Sequence, residues 1–130
     1  MNKDHKLLVI WAADCAEHVL PYFEKEYPRD ERPRKAIEAV RAWVRSDIKF
    51  GEVRAAAFAA HAAARNAAEN SVARAAARAA GQAVAAAHVV GHALHAANYA
   101  VKAAKAAGLS GERKWQHQHL PKRLRYMILT

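Results

Sequence analysis

The sequence predicts an all-α protein, a compact alanine-rich bundle of about six to seven helices. Alanine, the residue with the highest helix propensity, accounts for 34 of the 130 residues. No segment alternates apolar and polar residues as strands do, and glycine and proline stand between the periodic segments. A chain of this length can bury one core, so we expect a single helical domain over residues 1–130. Because alanine adds little bulk, its helices must pack at short distances.

The first helix is predicted from an apolar stripe that follows Asp4, a residue type that caps helices. The stripe repeats at helical spacing through Leu8, Trp11, Cys15 and Val19. Asp14 and His18 lie at its edge, where they can pair with each other or Asp14 can face an arginine on the next helix. Because proline interrupts helix interiors, we expect Pro21 to begin a short separate helix over 20–27, which Pro28 ends.

The second helix is the clearest amphipathic segment and begins at Arg32-Pro33-Arg34, where proline suits a first turn. Its apolar arc contains Ala36, Ile37, Val40, Trp43, Val44 and Ile48, and its charged arc contains Arg34, Glu38, Arg41 and Arg45. Phe50-Gly51 is expected to close this helix. A third helix is expected to begin at Glu52 and to reach about Ala68.

The central stretch, residues 71–107, is almost entirely alanine and starts at a cap, Asn70-Ser71. As one straight helix it would measure about 55 Å, well beyond the diameter of a compact chain whose radius of gyration is about 14 Å. The stretch is therefore predicted to break into a helical pair. Gly81 and Val89-Val90-Gly91 are the candidate breaks, and the second gives two helices of ordinary length.

The remaining chain is predicted to contain two short helices. Gly108 is suited to end the central pair, and Ser110 to cap a short helix with Glu112 in its first turn. Pro121 then separates this helix from a last one.

Histidines are the candidate site residues, since three of the eight recur at His88, His92 and His95. On a continuous helix they would share one face with Tyr99. A pair at i and i+4 can bind zinc or another divalent metal, with His61 as third ligand. The set His61, His88 and His92 loosely resembles the metal site of the DinB-like four-helix hydrolases. Asp14, Cys15 and His18 are alternative sources of the third ligand.

A structural role for these histidines is the favoured interpretation, and we expect no cofactor. Val89 stands where a zinc protease has its glutamate, and no carboxylate occurs between Glu69 and Glu112 to build a di-iron site. Hydrogen bonds across an alanine-lined interface suit such histidines. The predicted polar cluster consists of Asp14, His18, His88, His92, His95 and Tyr99.

Composition narrows the remaining function classes. Cys15 is the one cysteine, which fits the cytoplasm, and its place on the apolar stripe favours a small buried hydrophobe over a nucleophile. Charged and polar residues in the alanine run argue against a membrane span. The net charge of +9 suggests nucleic acid, but the cations are spread over every helix without a binding motif, which favours a solvated surface. No catalytic motif is present, so an enzyme is not indicated.

The informative residues together resemble a known bacterial family. They are Trp11, Asp14-Cys15, Arg32-Pro33-Arg34, Trp43, His61, His88, His92 and Glu112-Arg113-Lys114-Trp115-Gln116. In this pattern the chain resembles the immunity-protein-five-like family. The resemblance implies a small cytoplasmic protein that binds and neutralises a cognate toxin of a competing cell, and it carries over no catalytic residue. A homodimer through exposed alanine faces is a further expectation.

Overall fold

The computed structural model describes residues 2–128, and this part of the chain is all-helical, without a strand. Six α-helices are followed by a 3₁₀ helix, Lys122–Ile128. The α-helices are α1 (Lys3–Glu26), α2 (Arg32–Val44), α3 (Phe50–Asn66), α4 (Val72–Ala85), α5 (His92–Ala106) and α6 (Glu112–Gln118). The predicted all-α bundle is confirmed.

Helix α4 is the centre of the bundle, since α1, α2, α3 and α5 all pack against it. Nine of its 14 residues are buried, and eight of those nine are alanine or glycine. Such small side chains let the axes of neighbouring helices approach closely, while each contact still removes apolar surface from water. The helix begins at Ser71, whose side chain accepts a hydrogen bond from the Arg74 backbone N–H at 3.0 Å, as the capping pattern predicts.

The central stretch breaks where the sequence predicts. Helix α4 ends at Ala85 and α5 begins at His92, so residues 86–91 form the connection and Gly81 lies inside α4. A turn closes this connection, with the His92 N–H donating to the carbonyl of Val89 at 3.0 Å. Gly108, at φ +83°, follows the end of α5, where the left-handed conformation suits glycine.

The prediction of a separate helix over 20–27 is wrong, because α1 continues through Pro21 to Glu26. Pro21 lies on the exposed side of α1, where water can hydrogen-bond the carbonyl that loses its donor. The adjacent Leu20 and Phe23 are each only 1% exposed, so core packing holds the helix together across the proline.

Three predicted helix starts are also shifted. The N-cap of α1 is Asn2, whose side chain accepts from the His5 N–H at 2.8 Å, and Asp4 lies in the first turn instead. Phe50 begins α3 rather than closing α2. The N-cap of α6 is Gly111 rather than the predicted Ser110, at φ +92°.

The segment Glu112–Gln116 fastens α6 to the bundle. The Trp11 indole N–H donates to the Gln116 carbonyl at 2.8 Å, and the fully buried Gln116 side chain donates to the Ala97 carbonyl at 2.9 Å. Arg113 in turn donates to the Gln116 side-chain oxygen at 2.8 Å. A buried amide with both ends bonded gives α6 one orientation on α1 and α5.

Among the described helices, none is both long enough and apolar enough to span a lipid bilayer.

Replacing Gln116 with leucine is expected to lower the free energy of unfolding by about 1–3 kcal/mol, because the Ala97 carbonyl and Arg113 lose their buried partner. Gln118→Leu is the matched control, since Gln118 is an exposed glutamine on the same helix, where a substitution changes stability by about 0.5 kcal/mol at most. Chemical denaturation of both variants measures the difference. Equal stability of the two would contradict the assigned role.

Candidate protein-binding groove

An apolar groove of about 400 Å³ lies between α3 and the junction of α4 with α5. Its lining consists of Phe50, Val53, Arg54, Ala57, Phe58, His61, Val84, Ala85, His88 and His92. None of these lining residues carries a carboxylate, so every charged group that the groove offers is cationic.

Two exposed phenylalanines of α3 border the groove. Phe50 is 39% exposed and Phe58 is 62% exposed, and their spacing of eight residues places them about two turns apart on the same side of the helix. Arg54 lies between them in sequence, with its guanidinium carbon 5.6 Å from the centre of the Phe58 ring. Aromatic and arginine side chains are the residue types enriched at the energetic centres of protein interfaces.

His61 lines the groove, and the position of its ring requires glycine at residue 81. Its ring lies directly against Gly81, where an added Cβ would come within 2.5 Å of the imidazole Cε1. The His61 Nδ1 accepts a hydrogen bond from the Arg78 guanidinium at 2.7 Å, because arginine can only donate. The neutral ring therefore carries its proton on Nε2. Burial, together with the positive charge of Arg78, lowers the pKa of His61 below its ordinary value.

His92 occupies the opposite side of the groove. Its Nδ1 donates to the Gln82 side-chain oxygen at 2.6 Å, which fixes the orientation of the ring. Burial and then the nearby His95 lower the pKa of His92. His88 is exposed, and its ring centre lies 5.4 Å from that of Phe50.

His61, His88 and His92 thus line one groove, but His88 lies in the connection 86–91 rather than on one continuous helix with His92, and the arrangement does not fit a metal ion. Within residues 2–128 no group of three or more histidine, cysteine, aspartate or glutamate side chains is placed to hold a metal. In addition, the Nδ1 of His61 is bonded to a guanidinium, whose positive charge opposes a second cation nearby. The hypothesis of a zinc or other divalent metal site gains no support.

The other predicted cluster residues lie elsewhere. Asp14 accepts from Arg41 of α2 at 2.8 Å, one of the two pairings the sequence left open. His18 pairs with Glu112 at 2.9 Å, and its ring stacks on Trp115 with centres 3.7 Å apart. Neither Asp14 nor His18 lines the groove. The six residues proposed as one polar cluster are therefore distributed over separate parts of the surface.

His95 and Tyr99 do not line the groove, although His95 lies beside it. His95 is exposed, with its ring centre 5.8 Å from that of His92. Tyr99 lines a second cavity, described below.

Cys15 is fully buried in α1 and is poorly suited to nucleophilic chemistry. Burial, reinforced by the carboxylates of Glu112 and Asp14, strongly raises the pKa of its thiol. The reactive thiolate is therefore disfavoured, and the side chain packs as a small hydrophobe, as the sequence suggested.

A second cavity, of about 360 Å³, lies between α4 and α5 and is called the basic pocket here. Its lining consists of Glu69, Asn70, Ser71, Arg74, Ala75, Arg78, Tyr99 and Lys102. Sequence reasoning did not identify it, because its residues lie on two helices whose pairing brings them together. The feature of the sequence that points to a basic pocket is the lack of any carboxylate between Glu69 and Glu112.

Phe50, Arg54 and Phe58 were also not recognised from the sequence as site residues. Their spacing of four residues along α3, which places an arginine between two aromatic residues along one side of the helix, was the signal that could have identified them.

The chain matches a known protein family over most of its length. The model of the family described as "Imm-5 like putative immunity protein" matches residues 1–123, nearly the whole chain. No curated protein and no solved structure matches the chain significantly.

Gly81→Ala is expected to destabilise the protein by about 1–3 kcal/mol, because the new methyl group would overlap the His61 ring. Gly51→Ala is the control: Gly51 is also helical, but no atom lies within 4 Å of its added Cβ, so this substitution should be neutral or slightly stabilising. Thermal unfolding of both variants tests the contact. A stabilised Gly81→Ala protein would contradict the close approach of His61.

Lowering the pH from about 8 to about 5.5 is expected to destabilise the fold. The pKa of folded His61 lies below that of the unfolded chain, ordinarily about 6.5, so the unfolded state takes up the proton first and stability falls as the pH drops through that value. His61→Gln, which keeps an acceptor for Arg78, should show a shallower dependence when denaturation is measured across this range. An unchanged pH dependence in this variant would exclude His61 as its source.

Proposed function

This chain belongs to the Imm-5 like putative immunity protein family, and we propose that it binds and neutralises a cognate protein toxin without catalysing a reaction. The family description supports an antidote that acts by binding. The cytoplasm is the proposed compartment, in keeping with a single buried thiol and the usual reduction of cysteines there.

The apolar groove is the observation on which this proposal depends. It combines a concave apolar floor with two exposed aromatic rings and one arginine, a composition typical of surfaces that bury a partner's side chains. Phe58 exposes 62% of its surface although it lies beside a cavity that an apolar group could fill. Burying such a ring against a partner contributes about 1.5–3 kcal/mol.

The proposed occupant of the groove is an apolar side chain of the toxin, contacted on either side by Phe50 and Phe58. Arg54 can pair at the same time with a carboxylate or a backbone carbonyl of the toxin, since its guanidinium is exposed. Inhibition would then result from steric cover of the toxin surface next to this contact.

Phe58→Ala is expected to weaken binding to the toxin at least tenfold and to reduce protection of toxin-expressing cells, because the exposed ring is removed from the centre of the contact. Candidate toxins are proteins encoded beside this chain, and calorimetry on the purified pair measures the affinity. Leu109→Ala is the matched control, since Leu109 is 52% exposed and does not line the groove.

Two results would contradict the proposal. One is failure of the parent protein to bind or neutralise any neighbouring toxin candidate. The other is equal weakening by Phe58→Ala and Leu109→Ala, which would place the contact outside the groove. If the groove instead joins two copies of this chain, sedimentation at two concentrations will show a dimer that Phe58→Ala abolishes, and the groove is then not the toxin site.

A further inference from the structure

We propose that the basic pocket binds carboxylate side chains of an acidic segment of the toxin, next to the apolar groove. The inference rests on the proposed function, because that function supplies a protein as the partner. It adds the chemistry of the partner: an apolar anchor for the groove, and acidic residues close to it in space.

Cationic and hydroxyl groups from two helices meet at this pocket. Arg74 and Arg78 lie one turn apart on α4, and Tyr99 and Lys102 lie one turn apart on α5. Arginine offers several N–H groups in one plane, a geometry that matches the two oxygens of a carboxylate, while lysine and tyrosine add single donors. The pocket therefore presents the donor groups that a cluster of carboxylates needs.

The cations of the basic pocket differ in their partners from half of the other arginines of the protein. Elsewhere five arginines each lie within 3.0 Å of a carboxylate oxygen: Arg32, Arg34, Arg41, Arg45 and Arg123. By contrast, across residues 2–128 no carboxylate forms an ion pair with Arg74, Arg78 or Lys102. Like charges around one cavity repel, and an incoming anion relieves that repulsion.

The net positive charge of the protein, +9, also favours an acidic partner. From Phe50 to Gly108 the sequence holds six arginine and lysine side chains but only two carboxylates, Glu52 and Glu69. A net positive charge attracts an acidic protein surface and accelerates its association.

Glu69 and Ser71 favour a side-chain carboxylate over a phosphate group. Glu69 also lines the pocket, and its negative charge opposes a phosphate dianion more strongly than a carboxylate with one charge. The Ser71 hydroxyl already accepts from the Arg74 backbone N–H, so the start of α4 is capped by its own residue. Recognition therefore depends on the side chains of Arg74, Arg78, Tyr99 and Lys102.

Arg78 connects the basic pocket with the groove. It lines the pocket, while its guanidinium donates at 2.7 Å to His61, which lines the groove. The two cavities thus lie on either side of one hydrogen-bonded pair. A single toxin segment can cover both, with its apolar residue in the groove and its acidic residues in the pocket.

The test uses a hexaglutamate peptide as probe, followed by amide NMR titration of the full chain. The double variant Arg74→Gln/Lys102→Gln is compared with Lys6→Gln/Lys25→Gln, which removes the same net charge from exposed lysines of α1 outside the pocket. Shifts at residues 74, 78, 99 and 102 are expected, together with an affinity loss of about tenfold or more in the first variant and little change in the second. Unchanged thermal unfolding confirms that both variants are folded.

Several outcomes would overturn the inference. Equal loss in the two double variants would mean that net charge alone attracts the peptide. Tighter binding of inorganic phosphate, or of a single-stranded oligonucleotide, at the same amides would assign the pocket to another ligand. Because the peptide replaces the toxin, a negative result here leaves the Phe58→Ala comparison intact, and failure of that comparison leaves the pocket measurement interpretable.

Discussion

The close packing of alanine-lined helices around α4 is the constraint on which the rest of the structure depends. With eight alanine or glycine residues among the nine that α4 buries, four helices can surround it at short range. This close packing compensates for the scarcity of large core side chains, because the number of close atomic contacts contributes to the stability of the fold as side-chain size does. It also explains why one added methyl group at Gly81 would overlap the His61 ring.

The polar side chains of α4 lie at the surface of the bundle, beside the two cavities. Arg74 and Arg78 line the basic pocket, and Gln82 is hydrogen-bonded to His92 of the groove lining. Gln82 orients His92, and Arg78 orients His61. The histidines are therefore positioned as walls of the groove, and the binding proposed above depends on the aromatic and cationic groups around them.

The sequence predicts most of the backbone but only part of the site. Helical periodicity, the Ser71 cap and a size limit on 71–107 lead to the bundle and to the break before His92. The prediction at Pro21 is wrong because local rules do not include tertiary packing: Pro21 lies on the exposed side of α1, and Phe23 is buried in the core. The basic pocket could not be read locally, since it requires the pairing of α4 with α5.

Hydrogen–deuterium exchange of the protein with and without the proposed toxin tests the central claim most directly. If the groove and the basic pocket form one binding face, protection on binding should concentrate in α3, in the junction 86–91 and in the adjoining residues of α4 and α5. The surfaces of α2 and of the 3₁₀ helix should exchange as in the free protein. Protection confined to α2 and the 3₁₀ helix, with α3 unchanged, would contradict the account.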